Sequence, residues 1–190
     1  MSVTREHLHT RSVAFNGYKR SDGLWDIEGE ISDVRHYETW SPEKATLPAG
    51  QPIHNIAIQV TLDDQLTIQA IAARMKHTPF QLCAEVESRL QGMVGVTMGN
   101  GWRRAINQHL GGTQNCTHLR ELLYNMATVA FQTIPVYHAQ TQRKLGRPPE
   151  ATTEPPYFLG QCSSWRLDGP VVQRFYPQFY KLRTDKAREH

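Results

Sequence analysis

Two stretches in the first half of the chain alternate strictly between apolar and polar residues. From Leu24 to Asp33, Trp25, Ile27 and Ile31 fall on one face and Asp26, Glu28 and Glu30 on the other. That period of two marks a half-buried strand. Ser21-Asp22-Gly23 before it is a turn signal, and Val13 to Tyr18 reads as the preceding strand. Residues 36–52 carry Pro42, Pro48, Gly50 and Pro52 and read as a loop. Ile56, Ile58, Val60 and Leu62 then alternate with Ala57, Gln59 and Thr61. After Asp63-Asp64-Gln65 the chain turns back through Leu66, Ile68, Ala70 and Ala72, a hairpin expected at the centre of the sheet.

The period then changes. Thr78 stands where a helix cap belongs, with Pro79 at the first helical position and Leu82, Val86 and Leu90 forming a stripe. Trp102, Ile106 and Leu110 repeat that spacing, which predicts a short helix with these three in the core, stopped by Gly111-Gly112. Asn115 is placed to cap the longest helix, whose stripe is Leu119, Leu122, Leu123, Met126, Ala127, Ala130, Phe131 and Ile134; Pro135 should kink or end it. Residues 145–156, LGRPPEATTEPP, form a Pro-rich connector. Asp168-Gly169 lies between two runs within 157–180 and predicts a second hairpin, and the charged residues after Lys181 form a tail. Strands first and helices afterwards give an α+β fold: an N-terminal antiparallel sheet covered by three C-terminal helices, plus the late hairpin.

The length of 190 residues fits a single domain, 1–190, with residues 1–10 as an N-terminal arm. A net charge of +3 is small for a dedicated nucleic-acid binder, so a small molecule or a protein is the expected partner. There is no membrane-length apolar run, and Met1 to Arg11 is polar without the apolar run of a secretory signal. Three cysteines, Cys83, Cys116 and Cys162, do not make a secreted disulfide framework. A cytoplasmic protein with reduced thiols is expected.

The chemistry centres on Asn115-Cys116-Thr117-His118 at the start of the long helix. The positive end of the helix dipole favours a thiolate there, and a thiolate beside a histidine either binds a soft metal or attacks an electrophile. With Cys83 near the start of the first helix and Cys162 in the late hairpin, the candidate metal set is Cys83, Cys116, His118 and Cys162. The alternative for each thiol is burial as a small apolar residue. His54, in a loop beside a strand, and Trp102, after the Gly99-Asn100-Gly101 turn, are candidates for ligand contact. Arg5, His7, His9 and Arg11 form a basic cluster that suits an anion or a solvated arm. Phe175, Tyr176, Phe179 and Tyr180 suit base stacking or, more commonly, packing.

Several segments resemble a bacterial family designated domain of unknown function 2889. They include His9-Thr10-Arg11, Gly17-Tyr18-Lys19-Arg20, Asp22 to Gly29, Pro52-Ile53-His54, Pro79-Phe80 with Cys83, and Gly101 to Arg104. Cys116-Thr117-His118-Leu119 with Glu121-Leu122-Leu123, Cys162, and Asp168 to Val172 follow in order. The resemblance implies no activity, but it makes these candidate residues part of a family pattern. The order of strands and cysteine-bearing helices is also similar to iron–sulfur scaffold proteins of the NifU type, from which the chain departs by lacking a cysteine in the early strand loops and carrying Cys162 late.

Three readings stand on these residues. One is a small accessory protein that binds zinc or an iron–sulfur cluster through Cys/His ligands between sheet and helices. Another is a small-molecule enzyme or ligand-binding domain with Cys116 as nucleophile and His118 as base, which requires a third group to orient His118. The last is a structural or interaction subunit with no metal.

Overall fold

The computed structural model describes residues 2–41, 43, 45–147 and 153–181. Two compact units divide the chain, 1–135 and 136–190. The fold is α+β. In the first unit, β1 (His9–Lys19), β2 (Trp25–Arg35), β5 (Pro52–Leu62) and β6 (Ile68–His77) form an antiparallel sheet in the order β1-β2-β5-β6. A small hairpin, β3 (Thr39–Ser41) and β4 (Ala45–Leu47), interrupts the expected 36–52 loop. Among the described residues, no helix is long and apolar enough to cross a membrane.

One sheet face is covered. Trp25, Ile27, Ile31, Ile56, Ile58, Val60 and Leu62 are all buried, as their alternation requires. They share a core with Leu119, Leu122, Leu123, Met126, Ala130 and Ile134 of helix α2 (Thr117–Lys144). Glycines set the approach: a Cβ on Gly17 of β1 would run into Thr133 of α2, and one on Gly29 of β2 would meet the Phe15 ring. Helix α1 (Trp102–Leu110) buries Trp102, Ile106 and Leu110 and exposes Arg103, Arg104 and Gln108, as its spacing predicts. The Trp102 indole donates to the Leu123 carbonyl at 2.9 Å, which ties α1 to α2 through the core.

Several expectations give way to local geometry. The β5–β6 hairpin lies towards one end of the sheet, with β2 and β5 as the interior strands. Thr61 pairs with Ala70 but Leu62 with Ile68, so Gln69 is an extra residue that bulges β6 and switches its inward face. Ile71 is therefore buried, while Ala70 and Ala72 are exposed. The first helix is a 3₁₀ run, Gln81–Met93, with Phe80 at its cap position; the Thr78 hydroxyl turns to the Phe80 carbonyl instead. A three-residue turn aligns i with i+3, so Leu90 and Met93 are buried together while Leu82 is 68% exposed. Helix α2 continues through Pro135 to Lys144.

In the second unit, residues 157–180 form no strands. Turns lead into helix α3 (Pro170–Phe175) and a 3₁₀ turn at Pro177–Phe179. Pro170 follows Asp168-Gly169 and sets the first turn of a helix, which overrides the hairpin reading of that dipeptide. Leu159, Val172 and Tyr176 form a separate small core, against which Phe158, Trp165, Phe179 and Tyr180 pack. Residues 148–152 of the Pro-rich connector and 182–190 of the charged tail lie outside the described residues.

Candidate functional site

Three neighbouring strands carry a polar residue on the covered face in one cross-strand row. Arg11 of β1 pairs with Asp33 of β2, and Asp33 pairs with His54 of β5. Asp33 and His54 continue inward-facing alternations: Asp33 follows Trp25, Ile27 and Ile31 at steps of two, and His54 precedes Ile56 and Ile58. A β-bulge between Asp33 and Val34 falls at this end of the sheet. The N-terminus of α2 lies over the row and adds Cys116, His118 and Glu121.

Asp33 is the hub. Its side chain is 2% exposed, and its oxygens accept from four groups. Arg11 donates Nε to Oδ1 at 2.7 Å and Nη2 to Oδ2 at 2.9 Å. His9 Nε2 reaches Oδ1 at 3.1 Å and His54 Nδ1 reaches Oδ2 at 3.1 Å. Because an ionised carboxylate only accepts, both histidines present N–H groups to it. His118 Nε2 stands 3.5 Å from Oδ2. Burial pushes the Asp33 carboxyl up, but the Arg11 and His9 hydrogen bonds outweigh it and hold the pKa at about 2.

Arg11 has further partners. Its Nη1 donates to Glu121 Oε2 at 2.9 Å and its Nη2 to His118 Nε2 at 3.1 Å. A guanidinium has no acceptor, so the bond to His118 fixes the imidazole tautomer: Nε2 carries the lone pair and Nδ1 the proton. That Nδ1 faces Cys116 Sγ at 3.7 Å. The sulfur also receives the helix N–H groups of His118 and Leu119, the place an oxygen takes in an ordinary N-cap. Burial raises the Cys116 thiol, but the His118 ring and these N–H groups bring it below the usual thiol range. The same contact lifts His118 against burial. Burial pushes His54 down, and His118 does so too whenever it is protonated. The two rings lie 4.1 Å apart between centroids.

One ring nitrogen from each of His54 and His118 and one oxygen of Asp33 lie within 4.8 Å of one another, a group able to hold a metal ion. Two ligands each about 2.0–2.1 Å from a zinc ion at the tetrahedral angle stand about 3.3–3.4 Å apart. The Asp33 Oδ2 distances, 3.1 Å to His54 Nδ1 and 3.5 Å to His118 Nε2, bracket that separation, and a metal at His54 Nδ1 would require the ring proton to sit on Nε2.

Of the residues marked from sequence, His54, Cys116 and His118 come together here. Cys83 is half-buried and Cys162 is exposed, and the ligand group contains no cysteine. The NifU-like set of several thiolates therefore has no counterpart in this group. Trp102 is a core residue bonded to Leu123. In the basic N-terminal cluster, the anion met by His9 and Arg11 is the protein's own Asp33, while His7 stacks on His36 at 4.1 Å and bonds to Thr10. No motif singles out Asp33 or Glu121, although the parity of Asp33 with Trp25, Ile27 and Ile31 is visible in the sequence.

A family model described as a protein of unknown function, DUF2889, matches residues 9–132. That span contains every residue of this site and stops short of Cys162. No curated protein and no solved structure matches the chain, so the NifU likeness gains no support from either.

Proposed function

The chain belongs to the DUF2889 family of proteins of unknown function, and from its site we propose that it binds a divalent transition metal through Asp33, His54 and His118. The observation that carries this reading is the convergence of three ligand atoms within 4.8 Å. Two imidazoles and one carboxylate suit zinc and its first-row neighbours, and three protein ligands leave a position for water or substrate. An iron–sulfur cluster needs thiolates that this group does not contain. Neighbouring side chains orient the ligands: Cys116 engages His118 Nδ1, and His9 engages Asp33 Oδ1. Metal analysis after purification without oxygen, followed by zinc titration of chelator-treated protein, tests the reading. One zinc per chain in the wild type, lost in Asp33→Asn and His118→Ala, is expected. Equal uptake by wild type and both variants would reject it.

A second reading rests on a different observation, the seating of Cys116 between the His118 ring and the α2 N-terminus. A thiolate held there is a nucleophile for a small electrophile such as an acyl ester or thioester. His118 would protonate the leaving group, and Asp33 would supply the third member that such an array requires. The two readings separate on Cys116→Ser: metal content survives in the first, and all covalent chemistry is lost in the second.

A further inference from the structure

We infer that Arg11 is a built-in competitor for the metal, a side chain that occupies the cation position of the site and must withdraw onto Glu121 when metal binds. This inference rests on the metal reading and deepens it, because it names what sets the affinity.

The geometry is specific. Arg11 Nη2 lies 2.9 Å from Asp33 Oδ2 and 3.1 Å from His118 Nε2, so it holds the same oxygen and nitrogen that a metal would take. The lone pair of His118 Nε2 already points at a positive charge. Its tautomer, with the proton on Nδ1 towards Cys116, is the one a metal bound at Nε2 requires. Guanidinium and metal cannot share these atoms, since two positive charges at van der Waals contact repel strongly in a half-buried setting. Glu121 supplies the way out. It accepts Arg11 Nη1 at 2.9 Å and is 46% exposed, so the guanidinium can keep that bond while its other end leaves Asp33. His9 Nε2 stays on Asp33 Oδ1 at 3.1 Å, so the carboxylate keeps a hydrogen-bond donor when the guanidinium leaves.

The variants make opposite predictions. Arg11→Gln removes the competitor and leaves a buried carboxylate uncompensated, so the metal-free protein should be less stable but bind zinc roughly tenfold tighter or more than wild type. Arg11→Lys keeps a charge without the two-pronged grip and should fall between them. Glu121→Gln takes away the resting place and should weaken zinc binding about two- to fivefold, the range of an exposed ion pair. The measurement is competition between the full-length protein and a chelator of known zinc affinity, with thermal melting alongside. A larger zinc-induced rise in melting temperature for Arg11→Gln than for wild type supports the inference. Equal or weaker zinc binding by a folded Arg11→Gln overturns it and leaves the metal reading intact. No zinc binding by wild type or by folded Arg11→Gln overturns both. If Arg11→Gln does not fold even with zinc, the other two variants decide: tighter binding by Arg11→Lys with weaker binding by Glu121→Gln supports the inference, and no change in either overturns it.

Discussion

Asp33 is a carboxylate on a strand face that is otherwise apolar, and its surroundings dictate how it responds to acid. It titrates at about 2 in the folded protein against an ordinary 3.8. As pH falls the unfolded chain takes up this proton first, so the lowered value contributes stability that is whole above about pH 4 and is lost as pH falls to about 2. The amount is about 2 kcal/mol. Urea unfolding of chelator-treated protein between those limits should show the loss in wild type and a flatter dependence in Asp33→Asn, which is less stable throughout because Arg11 loses its main partner. The same steep acid loss in Asp33→Asn would assign it to other carboxylates. Cys116 is shifted in the same direction, and its lowered thiol should make it react with iodoacetamide near neutral pH faster than the half-buried Cys83. Mass spectrometry of partly modified protein reads the order, and Cys116 still unmodified when Cys83 is consumed would put it in the core. Cys116, His118 and His54 were legible as residue types that carry chemistry. Their meeting with Asp33 was not, because pairing across three strands depends on register, and register is not written within any one segment.

At the scale of elements, alternation and helical spacing predicted the faces of β2, β5, α1 and α2 correctly, since each buries a continuous stripe that no other placement would satisfy. Ile58 is 1% exposed, so Ile58→Ala should cost about 2–5 kcal/mol in denaturant unfolding. A loss under about half a kcal/mol would mean the site collapses around the missing atoms far better than such cores do. Gly17→Ala tests how α2 sits on β1. Its Cβ meets Thr133, and overpacking of this kind typically costs about 1–3 kcal/mol. Thr133→Ala in the same chain should recover most of the loss; without recovery, the strain lies in the strand and not in the helix contact. Elements were misread where one residue outweighed the pattern. Gln69 bulges β6 and exchanges its faces, and Pro170 starts a helix where a turn dipeptide suggested a hairpin. The 3₁₀ run at Gln81–Met93 carries helical spacing in sequence but presents Leu90 and Met93 inward because its turn is tighter.

At the scale of the whole molecule, length and composition point to one domain over 1–190, and the chain contains two compact units, 1–135 and 136–190. The residues of the site, from His9 to Glu121, belong to the first, as does the match to the family, 9–132. Its core closes with Ile134, and the aromatic cluster around Val172 and Tyr176 is a second core of its own. Cores that do not share residues can be formed separately. A chain ending at Lys144, the last residue of α2, should therefore fold cooperatively and bind zinc within about twofold of the full-length protein. Keeping the whole of α2 matters, because cutting at Pro135 would leave Ile134, a buried residue, in a frayed terminal turn. Circular dichroism melting and the same chelator competition measure the outcome. If the shortened chain folds but loses zinc, residues beyond Lys144 contribute to the site, and Cys162 becomes the first residue to replace by serine in the full-length protein. If it does not fold, the first core needs the second, as one domain over 1–190 requires.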